Sequence, residues 1–288
     1  LSDMAEIKLI ALDLDGTLLN EKKEIPPENE KALRECAARG IQIVPATGRT
    51  VYGIPDTIRD IPGVRYAIII NGGKVVDMQE DRVISSCLLS KEKTVEIMEI
   101  AERFPIMYDA YVEGRGVSEE RFLDHMDDYG ISPGIQELVK RTRDRYPNII
   151  GHIKELETSV EKVTMFFKTP QDKRDVREAL KGVKDIIVSS SLPNNLEVNA
   201  AGATKGGGLL RLAEYLGISA AQTMAFGDGE NDITMIECAG CGVVMENGAP
   251  FLKEKADYIT LSNEEAGVAA AIKKLVLEDG TPISPMEG

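Results

Sequence analysis

Short apolar runs that stop abruptly at polar or glycine-rich turns organise both ends of this chain. Residues 7–12, 41–46 and 66–70 each have the length and composition of a strand buried on both faces of a parallel sheet. Between the first two, Pro27 suits the first turn of a helix, Ala32, Leu33, Cys36 and Ala37 recur at helical spacing, and Gly40 ends it. A further short helix separates the second and third runs. Strand, helix, strand, helix, strand predicts a doubly wound parallel sheet. From about residue 83 the pattern changes. Helical stretches at 91–103, 119–128 and 172–181 alternate with strand-like runs at 162–168 and 185–189, which reads as an inserted α+β unit. A strand at 195–199, a helix from the Gly-rich run after Lys205 through Leu216, and a strand at Thr223–Gly227 then resume the first pattern. Outer strands at 242–245 and 256–260 and a closing helix at 264–277 complete it. The predicted class is α/β, a doubly wound, Rossmann-like core built from 1–83 and 190–280, an inserted α+β cap domain over 84–189, and a loose tail at 281–288.

Composition narrows the function classes. With 288 residues, 43% hydrophobic and 28% charged, the chain can bury a sizeable core. Its net charge of −14 argues against nucleic acid and against an anionic membrane as partner, because both demand a basic face. No apolar run approaches the roughly 20 residues a membrane span needs. The first residues lack a secretory signal, so a cytoplasmic location is expected. Four cysteines are too few to staple a chain of this length. Cys238 and Cys241 form a lone CxxC with no second pair, which reads as two small residues ending a helix. Two histidines, His125 and His152, leave little material for a Ser-His-Asp mechanism. Nothing in the chain points to an obligate protein partner.

The candidate chemistry sits where the strands end. The first run stops at Asp13-Leu14-Asp15-Gly16-Thr17. If the strand persists through Asp15, period-2 geometry puts both carboxylates on one side, a repulsion that a cation relieves. An all-oxygen donor set favours a hard ion such as Mg2+ over zinc. Gly16 permits a tight turn whose backbone N–H groups can face an anion. The second run ends in Thr47-Gly48-Arg49, the third in Asn71-Gly72-Gly73, and the strand at Thr223–Gly227 in Asp228-Gly229-Glu230-Asn231-Asp232. In a doubly wound sheet all of these fall on the carboxyl edge, where ligands bind. The Gly-rich run after Lys205 lacks P-loop spacing. A lysine at a helix start runs against the helix dipole unless an anion is present, which favours a phosphate partner. Thr47 also reads as a plain helix cap, Arg49 as a surface charge and Asn71-Gly72-Gly73 as a simple turn.

Taken together these residues resemble the haloacid dehalogenase superfamily of phosphohydrolases, whose four motifs occur here in order. Asp13-Leu-Asp-Gly-Thr matches the first, Thr47-Gly48-Arg49 the second, Lys205 the third and Gly227-Asp-Gly-Glu-Asn-Asp232 the fourth. The insertion between the second and third looks like the type-two cap of the Cof-type sugar-phosphatase branch. The resemblance implies that Asp13 is the nucleophile, forming an aspartyl-phosphate, and that Asp15 is the general acid and then the general base. It implies Mg2+ held by Asp13, the backbone carbonyl of Asp15 and Asp228, with Asp232 either holding the metal's waters or orienting Lys205. Thr47, Gly48, Lys205 and Asn231 would bind phosphate, and Arg49, Asn71 and Gly72 would lie on the substrate side. The implied activity is Mg2+-dependent hydrolysis of the phosphomonoester of a small metabolite, a sugar phosphate or similar. Three alternatives remain beside it: a sugar phosphomutase, a phospho-acceptor signalling domain built on strand-end aspartates, and a silent metabolite-binding protein.

Overall fold

The computed structural model describes residues 5–277. In chain order, β1 (Leu9–Leu12) and β2 (Gln42–Pro45) flank the helix Pro27–Ala38, and β3 (Tyr66–Ile69), β4 (Lys74–Asp77) and β5 (Arg82–Ser86) follow. Next come β6 (Met107–Val112), β7 (Arg115–Glu119), β8 (Arg143–Tyr146), β9 (Lys162–Phe166), β10 (Ile186–Ser189) and β11 (Asn195–Ala200). The helix Lys205–Tyr215 leads to β12 (Thr223–Gly227), β13 (Cys241–Val244) and β14 (Tyr258–Ile259).

The first sheet is parallel throughout, in the order β14-β13-β12-β1-β2. Its strands are buried on both faces, as their unbroken apolar composition requires. Ile10, Leu12, Ile43 and Phe226 meet Leu33, Val268 and Ile272 on one side. Leu9, Ala11, Val44 and Ala225 meet Leu209, Leu212, Met235 and Ile236 on the other. Alternation along each strand thus feeds two separate apolar layers. β3 joins β2 by a parallel bridge between Ala46 and Ile68, then pairs antiparallel with β4, which pairs with β5. That three-stranded hairpin sheet was not evident in the apolar pattern.

The insertion forms a six-stranded sheet in the order β10-β11-β9-β6-β7-β8, antiparallel except between β7 and β8. One boundary needs correcting. The strand predicted at 195–199 forms, but as β11 it lies between β9 and β10 and not in the parallel sheet. Its alternation of Asn195, Glu197 and Asn199 with Leu196 and Val198 is that of a strand with one apolar face, unlike the fully apolar strands of the core. β6, β7 and β8 also belong here, although only the runs at 162–168 and 185–189 were read from the pattern. Leu196, Val198, Val163, Met165, Tyr108 and Ala110 pack beneath the helices of this unit. The residues between them along each strand form the opposite face.

Predicted helices are recovered with adjusted ends. The stretch at 119–128 divides into Glu120–Asp124 and a turn at Met126–Tyr129, and the closing helix into Gly267–Ile272 and a wider turn at Lys273–Leu277. The tail at 281–288 lies outside the described residues. Cys238 ends a helix and Cys241 opens β13, both as free thiols. Among the described residues no helix is long and apolar enough to cross a membrane.

Central burial should dominate stability. Phe226, with 0% exposure on β12, and Phe251, 46% exposed, are the same residue type in opposite settings. Phe226→Ala should cost ~3–5 kcal/mol and Phe251→Ala less than ~1 kcal/mol in urea titrations. Equal losses would contradict the placement of the core.

Candidate active site

β1 ends at Leu12, so the strand does not persist through Asp15 and the period-2 expectation for Asp13 and Asp15 is not met. The Asp13 N–H still donates to Phe226 O at 3.1 Å, which fixes it at the sheet edge between β1 and β12. Asp15 falls in the turn beyond. Gly16, at φ +87°, lets that turn run against Asp228, where a Cβ would stand 2.4 Å from Asp228 Oδ2.

Two strand ends then converge on one ammonium group at a helix start. Lys205 Nζ donates to Asp13 Oδ1 at 2.5 Å and to Asp232 Oδ1 at 2.6 Å, and the lysine is wholly buried. The other oxygen of Asp232 accepts the backbone N–H groups of Asp228 and Gly229, both at 3.0 Å. Asp232 therefore has its oxygens occupied in orienting Lys205 and shaping the loop after β12. Asp228 Oδ1 accepts from Thr17 Oγ1 at 3.0 Å. Asp13, Asp228 and Asp232 each bring one carboxylate oxygen within 4.8 Å of the others. Three carboxylates against one lysine leave a surplus of negative charge, and the donor set is all oxygen. Both features fit a hard divalent cation such as Mg2+.

The electrostatics agree with that surplus. Burial, and next the charge of Asp232, push Asp228 up to about 6. Burial raises Asp13 as well; Lys205 opposes the shift, while Asp232 and Asp228 add to it. Burial disfavours the charge on Lys205, but Asp13 and Asp232 outweigh it and hold the amine protonated.

Asp15 faces elsewhere. Its carboxylate accepts from Arg49 Nη2 at 2.7 Å, Arg49 Nε at 3.0 Å and Lys23 Nζ at 2.8 Å. Burial acts to raise its pKa, yet the hydrogen bonds and charges of Arg49 and Lys23 prevail and hold it below the usual carboxylate range.

The remaining candidates line a seam between the two sheets. Thr47 is buried; its Oγ1 accepts the Arg49 N–H at 3.1 Å, and its carbonyl accepts the Asn71 N–H at 3.0 Å. It does not cap the following short turn, where Thr50 holds that position. Asn71, in a left-handed conformation at φ 54°, donates to Glu197 Oε2 at 2.8 Å, and its Oδ1 accepts from Asn231 Nδ2 at 3.2 Å. Gly48 approaches the same group: a Cβ there would lie 2.9 Å from Asn71 Oδ1. Gly72 instead meets the start of the Lys205 helix, where a Cβ would stand 1.9 Å from Thr204 O.

Several residues of this region escaped the motif reading. Lys162 Nζ donates to Glu197 Oε1 at 2.5 Å and to Gly48 O at 2.8 Å, so β9 and β11 are tied to the second strand-end loop. Arg177, on the helix Pro170–Leu180, pairs with Glu230 through two bonds of 2.7 and 2.9 Å. The polar positions alternating with Val163, Leu196 and Val198 were the available signal, but alternation does not tell whether a polar face meets water or another sheet.

Comparison with known proteins agrees with the geometry. The family model for haloacid dehalogenase-like hydrolases matches residues 10–272. The chain is 34% identical over 275 residues to the 5-amino-6-(5-phospho-D-ribitylamino)uracil phosphatase YcsE of Bacillus subtilis, covering 94% of this chain and 97% of that protein. A haloacid dehalogenase-like hydrolase from Bacteroides thetaiotaomicron superposes with a TM-score of 0.77 at 30% identity, over 94% of this chain and 100% of that one. The HAD subclass IIB sugar phosphatase BT4131 shares the fold, with a TM-score of 0.78 at 24% identity over 93% of this chain and 98% of that one. The chain therefore belongs to the haloacid dehalogenase-like hydrolases and is a phosphatase of the Cof type, with a cap inserted between its second and third motifs.

Proposed function

We propose that the chain hydrolyses the phosphomonoester of a small metabolite through an aspartyl-phosphate on Asp13, with Mg2+ as cofactor. The observation that carries this reading is the buried contact of Lys205 with both Asp13 and Asp232, beside Asp228. Lys205 occupies Asp13 Oδ1, leaving the other oxygen clear of the lysine for attack on phosphorus. That attack forms the Asp13 O–P bond and breaks the bond from phosphorus to the alcohol oxygen. Water then attacks phosphorus, releasing inorganic phosphate and restoring the Asp13 carboxylate.

A carboxylate and a phosphate dianion repel, so the site must supply positive charge. Lys205 contributes one fixed charge in a dry setting. Asp13 and Asp228, with the Asp15 carbonyl, would hold Mg2+, which when bound neutralises charge on the phosphoryl oxygens. Asp232 keeps the ammonium in place. Asn231, Thr47 and the N–H groups of the turn after Asp13 supply hydrogen bonds.

Asp15 transfers the protons, giving one to the departing alkoxide and taking one from the attacking water. Its present partners keep it ionised. A phosphate dianion competes for the Arg49 guanidinium, and with Arg49 drawn off the dianion's own negative charge beside Asp15 raises its pKa, so that the carboxyl takes up from solvent the proton it then gives to the alkoxide.

Asp13→Asn should abolish phosphate release while leaving the circular dichroism spectrum unchanged; measurable turnover in that variant would remove Asp13 as nucleophile. Asp15→Asn should lower kcat by roughly 10²–10⁴-fold, as loss of a positioned acid–base group does. Mg2+ should also stabilise the fold in a pH-dependent way. A carboxyl raised to about 6 in the folded state takes up protons more readily than in the unfolded chain, so the apo protein loses stability as pH rises through that value. Mg2+ competes with those protons. The Mg2+-induced rise in Tm should therefore be larger at pH 7.5 than at pH 5, and a rise independent of pH would count against Asp228 as ligand.

A further inference from the structure

One buried chain of hydrogen bonds joins the cap sheet to the catalytic edge. β11 presents Glu197 and Asn199 from the same face, since they stand two residues apart. Both reach the loop after β3. Glu197 Oε2 accepts from Asn71 Nδ2 at 2.8 Å, and Asn199 Oδ1 accepts from the same nitrogen at 3.4 Å. The other Glu197 oxygen accepts from Lys162 Nζ at 2.5 Å, and that lysine also donates to Gly48 O at 2.8 Å. At the far end, Asn71 Oδ1 accepts from Asn231 Nδ2 at 3.2 Å. Lys162, Glu197, Asn71 and Asn199 are all buried.

The backbone is strained to make this chain. Ile70, Asn71 and Gly72 have φ of 53°, 54° and 93°, three successive residues in the left-handed region. For a β-branched residue such as Ile70 that conformation is a genuine outlier, and it persists only where its surroundings over-determine it. Here the Ile70 N–H donates to Arg49 O and the Asn71 N–H to Thr47 O, each at 3.0 Å. Asn199 Nδ2 donates to Ile70 O at 3.2 Å from the cap side. A plain turn needs none of these side-chain bonds.

The chain also has a direction. An ammonium only donates, an ionised carboxylate only accepts, and a carboxamide does one at each end. Burial acts to raise the Glu197 pKa, but the charge and hydrogen bond of Lys162, with the bond from Asn71, prevail and hold it below the usual carboxylate range. Glu197 therefore demands the Nδ2 end of Asn71, which turns Oδ1 to Asn231, and Asn231 must answer with Nδ2. Of the two N–H bonds on that nitrogen, one is given to Asn71 and the other remains for a phosphoryl oxygen. A reversed Asn231 would set a carbonyl oxygen, an acceptor, where that donor stands.

We propose that Glu197 and Asn71 are positioning residues for phosphate: the charge of a cap-sheet carboxylate, relayed through Asn71, fixes which end of Asn231 meets the phosphoryl group. The assignment rests on the phosphatase reading and adds to it the device that orients one of its phosphate-binding side chains.

The test uses the full chain loaded with Mg2+, with p-nitrophenyl phosphate as substrate and orthophosphate as competitive inhibitor. In Glu197→Gln, of equal size, Lys162 claims Oε1, so Nε2 faces Asn71 and the two carboxamides beyond it reverse. The orthophosphate Ki and the KM should rise at least about tenfold, as loss of a hydrogen bond to a charged group implies, with kcat less affected. Asn71→Gly cuts the relay while keeping the left-handed backbone and the Lys162–Glu197 pair, and should give a similar rise. Glu197→Gln combined with Asn71→Asp moves the charge one step along the relay and returns an acceptor to Asn231; it should recover most of the loss. Asp109→Asn breaks another buried ion pair of the cap sheet, that with Arg143, outside the relay; it should lower Tm and leave Ki unchanged. An unchanged Ki in Glu197→Gln or Asn71→Gly, a double variant no better than Glu197→Gln alone, or an equal rise in Asp109→Asn would each overturn the assignment. A wild-type protein that hydrolyses no ester and binds no orthophosphate would instead overturn the phosphatase reading itself.

Discussion

The rest of the structure depends on one buried ammonium group. Lys205 has no exposure to solvent and stands at the first position of a helix, where the dipole disfavours positive charge. A charge so placed is tolerable only if it is paired at close range. Asp13 and Asp232 meet that demand, one from the end of β1 and one from the loop after β12. The parallel register of β1 with β12 brings those two elements side by side, and the close approach of Gly72 to Thr204 fits the helix start against them. Fold and chemistry are thus mutually dependent: the sheet delivers the carboxylates, and the carboxylates justify the lysine.

Much of this was legible from the residues. Asp13, Lys205, Asp228 and Asp232 stand next to unmistakable strand ends or helix starts, and ordering those strands in a parallel sheet already places them on one edge. The conformation of a turn is less visible. Asp15 leaves the strand before its carboxylate can align with Asp13, because β1 ends at Leu12 and the chain is already turning at Leu14. Lys205 was expected to await a phosphate; the structure shows that carboxylates already balance it.

The cap was harder to read, for a physical reason. Its strands carry one apolar and one polar face, a pattern shared by any half-exposed sheet. The alternation in Asn195-Leu196-Glu197-Val198-Asn199 argues against a doubly buried core strand, but it does not place the strand between β9 and β10. Nor does the pattern reveal that Glu197, Lys162 and Asn199 are buried against the second and third strand-end loops. Burial of polar groups is a property of the assembled seam, set by what arrives from elsewhere in the chain.

The Arg177–Glu230 pair spans that seam and joins the cap to the loop that carries Asp228 and Asp232. Its side chains keep 35% and 30% of their exposure, so water shares in their solvation and the contact contributes at most about 1 kcal/mol. A fully buried pair in the same place would cost about 3–5 kcal/mol to break, a factor of roughly 10² to several times 10³ in any rate that had to sever it. A clasp this exposed aligns the cap with the loop that carries Asp228 and Asp232 while costing little to separate.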